Sequence, residues 1–310
     1  MVDSEHDRRS LQRRLEVLRL PVVPLTLHGE LRPRHPQDWK YQPEAVGVGP
    51  DGTAFAVWPH RDDAHRKRVT SHAGTSITAT IDITTDLTTS FVQPLPDGHV
   101  LLVAARTRPG APPNAQVWTG DGRLARTGHL GDAIEEVLTT PSGSVWVGYF
   151  DEALGGSGPQ GHGLARFTQD LTPDWLYPFD AGLPVICDCY TLNVVSERAY
   201  CCAYTDFHLV SVEGNQATDW GAAPYRSAHS LLVQDEAGAL ISGPGPEYDL
   251  VTPFRRSGDD LEAAGQQRRL VLPDGLEARR LRSTCRGPDL HVFRNRLWYR
   301  TTLDDLFASP

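Results

Sequence analysis

Four carboxylates occupy positions from which they could act together on a ligand. Glu44 and Glu135 each lie seven residues before a tight turn in two copies of a repeated sequence, and Asp151 and Glu152 follow the second apolar segment of the later copy. Carboxylates that share one face can exchange protons with a substrate, or can bind a hard divalent cation such as Ca²⁺ or Mg²⁺. We therefore take Glu44, Glu135, Asp151 and Glu152 as candidate catalytic residues.

Residues near the same repeats could bind a ligand without catalysing a reaction. They combine hydrogen-bonding groups with imidazoles, which titrate near neutral pH. The candidate ligand-binding residues are Tyr149, Asn193, Asp206, His208 and His229. Glu44, Glu135 and Asn193 would supply oxygen ligands to a central metal, although they stand at different heights in the repeat.

The five cysteines do not predict a metal site. No Cys-x-x-Cys pair occurs, and Cys201 and Cys202 would point to opposite faces of a strand. Cys189 could be a nucleophile with His229 as its base, but only if its thiol pKa were depressed. Buried free thiols are favoured, and with no visible export signal they predict a cytoplasmic protein.

A repeat that reads strand, tight turn, strand places these residues. The clearest copy runs over residues 135–147 and turns at Pro141-Ser142-Gly143. The turns of six copies fall at positions 51, 97, 142, 196, 237 and 288, at steps of about 46, 45, 54, 41 and 51 residues. Propeller blades of four strands are roughly 40–50 residues long. The sequence therefore predicts an all-β fold, a six-bladed β-propeller.

The two ends of the chain are predicted to complete the ring. The sixth copy is short, so residues 297–300 would form its third strand and residues 22–28 its outer strand. Such a closing blade, shared by the two termini, leaves no free sheet edge. Before it, Leu11, Leu15 and Leu18 fall on one side of a short helix, which would contact the ring, a second subunit, a membrane or a partner. We expect an N-terminal helical extension over 1–20 and a single β-propeller domain over 21–310.

The first strand of each blade should line the channel, with its start at the same face as the end of the second strand. Positions seven residues before each turn would then form a mostly polar ring at the channel mouth. They are Glu44, Ser90, Glu135, Cys189, Ser230 and Leu281. The seven tryptophans are spread along the repeats, which is typical of aromatic side chains packed between blades.

Charge limits the partners of the chain. The formal net charge is -9, and an acidic protein repels the phosphate backbone, so no nucleic acid partner is expected. No apolar run reaches the ~18–20 residues of a membrane-spanning helix. The expected partner is a small molecule or another protein, and the oligomeric state stays open.

The turn sequence Pro-Asp-Gly or Pro-Ser-Gly, followed by a hydrophobic strand, resembles that of bacterial propellers with NHL/SMP-30-like repeats. The resemblance covers about residues 41–300. That class includes sugar-lactone hydrolases, lyases and binding modules, so it implies a fold and no single activity. Residues 145–152, with Gly163 to Phe167 downstream, are most similar to a family of uncharacterised bacterial propeller proteins.

Two functions remain open at this point. The first is a non-catalytic module that binds a small molecule or a protein through an acidic face at the channel mouth. The second is a hydrolase or lyase that uses Glu44 and Glu135, assisted by Asp151 or Glu152, and a divalent metal. A channel filled by side chains would leave only a partner-binding surface.

Overall fold

The chain forms a ring of six β-sheets whose first strands surround a central channel. The computed structural model describes residues 4–153, 155–179, 182–258, 260–279 and 281–308. Helix α1 (Ser4–Val17) comes first, followed by strands β1 (Val22–Pro24) and β2 (Thr26–Glu30), which join the last two sheets. Across the described ranges, every helix is too short or too polar to cross a bilayer.

Blades one to three each consist of four consecutive antiparallel strands. Blade one contains β3 (Ala45–Val48), β4 (Ala54–Pro59), β5 (Arg66–Ala73) and β6 (Ser76–Thr84). Blade two contains β7 (Phe91–Leu95), β8 (His99–Val103), β9 (Ala115–Trp118) and β10 (Leu124–Gly128). Blade three contains β11 (Ile134–Thr139), β12 (Val145–Tyr149), β13 (Leu164–Phe167) and β14 (Pro173–Leu176).

Blades four to six complete the ring, and the last two take strands from the N-terminus. Blade four contains β15 (Asp188–Val195), β16 (Arg198–Tyr204), β17 (His208–Glu213) and β18 (Gln216–Ala222). Blade five contains β19 (Ser230–Gln234), β20 (Ala237–Ile241), β21 (Leu250–Ser257), β22 (Asp260–Ala263) and β23 (Arg268–Val271), with β1 at its edge. Blade six contains β24 (Arg282–Arg286), β25 (Asp289–Arg294), β26 (Leu297–Thr302) and the outer strand β2.

The closing blade is shared by the two termini, as predicted, but the N-terminal segment serves two blades. Thr26–Glu30 pairs antiparallel with β26, which confirms the outer strand of blade six. The prediction was wrong for Val22–Pro24, which pairs in parallel with β23 of blade five. The segment can leave one sheet for the next because Leu25 is buried between them and donates its amide to Val271.

Six apolar clusters, one at each interface between neighbouring blades, form the core. All seven tryptophans are buried, as the sequence predicts. Trp39, Trp58 and Trp298 together fill the interface between blades six and one. The ring therefore closes through packed aromatic side chains as well as through strand pairing.

Helix α1 docks on blade five through its basic side and not through its leucines. Arg14 lies 2.6 Å from the fully buried carboxylate of Asp249, and its guanidinium stacks over Tyr248 at 4.3 Å. Leu11 and Leu15 stay 61% and 51% exposed. Ion pairing with acidic loops thus fixes the helix, and its apolar stripe faces outward.

Short helical turns link the strands and finish the chain. They are the 3₁₀ segments Pro36–Asp38, Pro96–Gly98, Asp151–Ala153, Pro159–His162 and Gly245–Glu247. Helix α2 (Leu303–Phe307) begins at a capping box in which the Thr302 side chain accepts from the Asp305 amide. Its Leu303 and Leu306 are buried in the cluster between blades five and six.

Candidate functional site

Three carboxylates from blades three and four meet at one face of the ring. We call Glu135, Asp151 and Asp188 the acidic mouth. Burial, followed by the charges of Glu135 and Asp151, raises the pKa of Asp188 to about 6. No ion pair to any of the three occurs within the described part of the chain. The acidic mouth therefore holds uncompensated negative charge, and a bound cation would relieve the repulsion.

Two β-bulges aim side chains at this mouth. The register between β11 and β12 shifts at Glu135, and the register between β15 and β16 shifts at Tyr190. A bulge leaves one residue outside the regular pairing and turns its side chain away from the pleat. Glu135 is consequently exposed, while its neighbour Val137 packs in the apolar cluster between blades two and three.

An aromatic group borders the carboxylates. We call Tyr190, Tyr204, Phe207 and His229 the aromatic panel. The rings of Tyr190 and His229 stack with centroids 5.4 Å apart, and Tyr190 lies 5.7 Å from Tyr204. Burial, then the charge of Asp188, raises the pKa of Tyr190, so acid and ring share one environment. Ring faces next to unpaired carboxylates are suited to an organic cation.

Below the mouth, Arg286 fills the channel. It ends β24 of blade six, is 6% exposed and crosses to three other blades. Its guanidinium donates to the Val48 carbonyl at 2.7 Å, to the Thr139 carbonyl at 2.7 Å and to the Gln93 amide oxygen. One buried cation thus joins four blades through neutral acceptors.

Asn193 completes this plug from blade four. Its side-chain nitrogen donates to the carbonyls of Leu231 and Gly287, both at 2.8 Å, and its oxygen accepts from the Gly287 amide at 2.8 Å. Blades four, five and six are therefore held together through Gly287, the residue that follows Arg286. Below the acidic mouth, these two side chains together cross the channel between all six blades.

A fourth carboxylate, Glu136, lies between the mouth and the plug. Burial raises its pKa to about 8, while the charge of Arg286 lowers it and that of Glu135 raises it. The charge of Glu136 also acts on Cys285 of blade six, so the Glu136 side chain lies toward the channel axis. Glu136 is the carboxyl group here whose protonation is most strongly changed by folding.

Glu44 forms a structural ion pair and does not face the acidic mouth with a free carboxylate. Its carboxylate lies 2.8 Å from the buried ammonium group of Lys67 and accepts the Thr89 amide at 2.7 Å. A metal held by Glu44, Glu135 and Asn193 does not fit these contacts. Lys67 and the Thr89 amide already occupy the oxygens of Glu44, and three backbone groups already occupy the amide of Asn193. In the described ranges, no group of three or more His, Cys, Asp or Glu side chains is arranged to hold a metal ion.

We expect Glu44→Gln to lower the free energy of unfolding by about 1–2 kcal/mol, below the ~3–5 kcal/mol seen when a fully buried pair is broken. The loss arises because Lys67 remains buried without its counter-charge. Urea denaturation measures the change. The control is Glu213→Gln, which removes an exposed pair with Arg198 and should change stability by less than ~0.5 kcal/mol. Equal losses for both variants would contradict a structural role for Glu44.

The other sequence-predicted residues are dispersed. Tyr149 is fully buried and donates its hydroxyl to the Leu130 carbonyl, and Asn193 belongs to the plug. His208 pairs with Asp219 at 2.8 Å on the outer strands, and Glu152 pairs with Arg106 at 2.6 Å. The residues brought together are Glu135, Asp151 and His229, while Asp206 is exposed in the turn before Phe207.

Four residues near the mouth were not predicted from the sequence: Asp188, Tyr190, Glu136 and Arg286. Counting back from the turn of blade four selects Cys189, because the bulge at Tyr190 is not visible in the sequence. Cys189 is fully buried, and its hydrogen bonding with Cys201, together with burial, raises its thiol pKa. All five cysteines are free thiols. The run Asp188 to Tyr190, an acid two residues before an aromatic at a strand start, is a signal that could have been used.

No protein-family model matches the chain, and no curated protein matches it in sequence. Among solved structures, it is similar to the calcium-binding protein regucalcin from Agrobacterium tumefaciens, with 13% identity, a TM-score of 0.48, and coverage of 90% of this chain and 94% of that one. A gluconolactonase from Xanthomonas campestris gives 12% identity, a TM-score of 0.43 and coverage of 91% and 98%. A protein of unknown function from Bacteroides caccae gives 12% identity, a TM-score of 0.39, and coverage of 58% of this chain and 66% of that one. The class that the chain's own strand order defines is the six-bladed β-propeller.

Proposed function

We propose that the protein is a binding module whose acidic mouth and aromatic panel recognise a cationic group. The observation that carries the proposal is the set of three uncompensated carboxylates beside the stacked rings of Tyr190 and His229. An ammonium or guanidinium group placed there gains charge attraction and a cation–π contact together. The plug of Arg286 and Asn193 supports recognition at the surface, as by a Lys or Arg side chain of a protein partner. The free thiols favour a reducing compartment, which we take to be the cytoplasm.

The affinity of model cations tests this function. We expect isothermal titration calorimetry to detect N-acetyl-lysine methylamide and N-acetyl-arginine methylamide, and to detect the uncharged norleucine analogue at least about tenfold more weakly, since ~1.4 kcal/mol of charge recognition is tenfold. Binding should strengthen from pH 5 to pH 7, because Asp188 loses its proton near pH 6. The double variant Glu135→Gln/Asp188→Asn should lose the preference for cations.

A matched control is Glu262→Gln, an exposed acid on the outer strand of blade five, which should leave the affinity within about twofold. The proposal is wrong if the norleucine analogue binds as well as the cations. It is also wrong if the double variant binds lysine and arginine analogues as the unmodified protein does.

A second candidate function is a hydrolase or lyase, and the pKa values of Asp188 and Glu136 favour it specifically. Asp188 at about 6 and Glu136 at about 8 would hold one carboxyl group protonated and another ionised near neutral pH, as acid–base catalysis needs. The resemblance to sugar-lactone hydrolases makes lactones the first substrates to assay. Turnover that Asp188→Asn abolishes would establish this function in place of the binding module.

A further inference from the structure

A large cavity on the described surface is separate from the acidic mouth. A cavity of about 810 Å³ lies between blades one and two, where the chain leaves β6 and where the loop between β8 and β9 folds over. Its volume is within the roughly 300–1,000 Å³ of sites that hold small organic molecules. Neither the acidic mouth nor the aromatic panel contributes a residue to its lining.

The walls of this cavity are mainly apolar. Leu87 comes from the connection between the blades, Ala111 and Pro112 from the loop, and Trp118 and Leu124 from the outer strands of blade two. Leu124 is 47% exposed, and its exposed surface gives an occupant apolar contact. Removing that surface from water stabilises a bound molecule by about 25 cal/mol per Å². The cavity is thus suited to the hydrocarbon or aromatic body of a ligand.

One polar group in the wall is held in a fixed orientation. The amide oxygen of Gln116 accepts both the Thr85 hydroxyl at 2.7 Å and the indole nitrogen of Trp118 at 3.2 Å. These two donors determine which end of the amide is oxygen, so the nitrogen end must be a donor. Within the described part of the chain, that nitrogen has no hydrogen-bond partner, which leaves it available to an acceptor on a ligand.

One charged side chain on the rim has no ion-pair partner among the described residues. Arg106 pairs with both Asp132 and Glu152, and Asp86 is paired with His65. Arg108 lines the cavity and is exposed, and no partner of its side chain occurs among the described residues. The unpaired charged side chain at the opening is therefore a guanidinium, a group that binds carboxylates and sulfonates through paired hydrogen bonds.

We propose that this cavity is a second binding site, for a small amphiphilic anion with an apolar, aromatic-sized body and a carboxylate-like head group. The body lies against Trp118 and Leu124, an acceptor near its middle meets the Gln116 nitrogen, and the head group pairs with Arg108. The site is independent of the proposed cation recognition at the acidic mouth. It differs from that site in charge, and each can be removed without the other.

Two fluorescent probes test the proposal directly. The first is 8-anilinonaphthalene-1-sulfonate, which carries the anionic head, and the second is the uncharged N-phenyl-1-naphthylamine. We expect both to bind the folded protein at one saturable site, with near-UV circular dichroism showing that the fold is retained. Arg108→Gln should weaken the sulfonate probe about five- to tenfold and leave the neutral probe within about twofold, since only the charge pair is lost.

Filling the cavity should abolish binding of both probes. Ala111→Trp blocks it from the loop, and Thr88→Trp blocks it from the opposite wall, so the test does not depend on one variant folding. The matched controls are Arg294→Gln and Ala264→Trp, which lie outside the lining and should leave both affinities unchanged. Saturable binding is required, and its absence overturns the proposal. Unchanged binding in the Trp variants, or equal losses of the two probes in Arg108→Gln, also overturns it.

Discussion

Arg286→Met is expected to lower the free energy of unfolding by about 3 kcal/mol, a large part of the roughly 5–15 kcal/mol that stabilises a typical domain. The change removes all three hydrogen bonds that join blade six to blades one, two and three. The Val48 and Thr139 carbonyls would then be buried without a donor, and each such group costs about 1–3 kcal/mol. The loss exceeds that of any exposed pair in the ring.

An opposing effect limits this loss. Burial lowers the pKa of Arg286 to about 10, which means that keeping its charge inside the channel is itself unfavourable. A methionine removes that cost and fills similar volume, as when buried charges are replaced by apolar residues. We expect the unsatisfied acceptors to dominate, because Arg286 serves three of them and no carboxylate among the described residues forms an ion pair with it.

Urea denaturation of three variants separates the two effects. Arg286→Lys keeps the charge but reaches fewer acceptors, so its loss should be roughly half that of Arg286→Met. Arg198→Met removes an exposed pair with Glu213 and should cost less than ~0.5 kcal/mol. If Arg286→Met is as stable as the unmodified protein, the cost of burying the charge outweighs the hydrogen bonds, and the plug does not stabilise the ring.

The number of blades could be predicted because turn chemistry recurs. Pro141, Ser142 and Gly143 require a tight reversal, and Gly143 takes a φ of 95°, which few other residues adopt. Tight turns at six positions, separated by five steps of similar length, fix six hairpins, whatever the side chains between them. The split of the N-terminal segment could not be predicted, because Val22–Pro24 and Thr26–Glu30 are equally able to form an edge strand and only the closed ring places Leu25 between two sheets.

The candidate site was only partly predictable, for a reason that lies in the side-chain period of a strand. Successive residues point to opposite faces, so one extra residue moves every later side chain to the other face. The bulges at Glu135 and Tyr190 do this in blades three and four, where the acidic mouth lies. Glu44 was placed near the mouth by the same count, but its partner Lys67 lies 23 positions away and only the folded sheet brings them together.

Arg286 shows most clearly which kind of residue a sequence pattern does not identify. In the sequence it is one of many arginines, and it sits at the last position of a strand where the turn begins. Its function depends on carbonyl groups of Val48 and Thr139, which any residue type would supply. A sequence pattern does not record contacts to backbone atoms of distant blades, so the residue that closes the channel could not be recognised.

The pH dependence of stability is the second large effect, and it follows from Glu136. Its pKa is near 4.5 in an unfolded chain and about 8 in the folded protein, because burial disfavours the charged form. Between these values the folded state binds more protons than the unfolded state, so stability falls as pH rises. The stability that the protonated Glu136 side chain contributes is fully present below pH ~4.5. It falls as pH rises from ~4.5 to 8, and stability does not change further with the ionisation of Glu136 above pH 8. Asp188, raised to about 6, adds a smaller decline at lower pH.

Glu136→Gln should therefore stabilise the protein, and only at neutral and alkaline pH. A difference of this size corresponds to on the order of 5 kcal/mol at ~1.4 kcal/mol per pKa unit, and the partial exposure of the Glu136 side chain to water reduces the expected gain to about 2–3 kcal/mol at pH 8.5. At pH 5 the two proteins should be nearly equal, because Glu136 is protonated and uncharged in the folded state. Urea denaturation at pH 5, 6.5 and 8.5 measures the difference, with Glu262→Gln as the exposed control. A difference that stays constant across that range would mean that Glu136 ionises in the fold as it does in water, and that the channel above Arg286 is open to solvent.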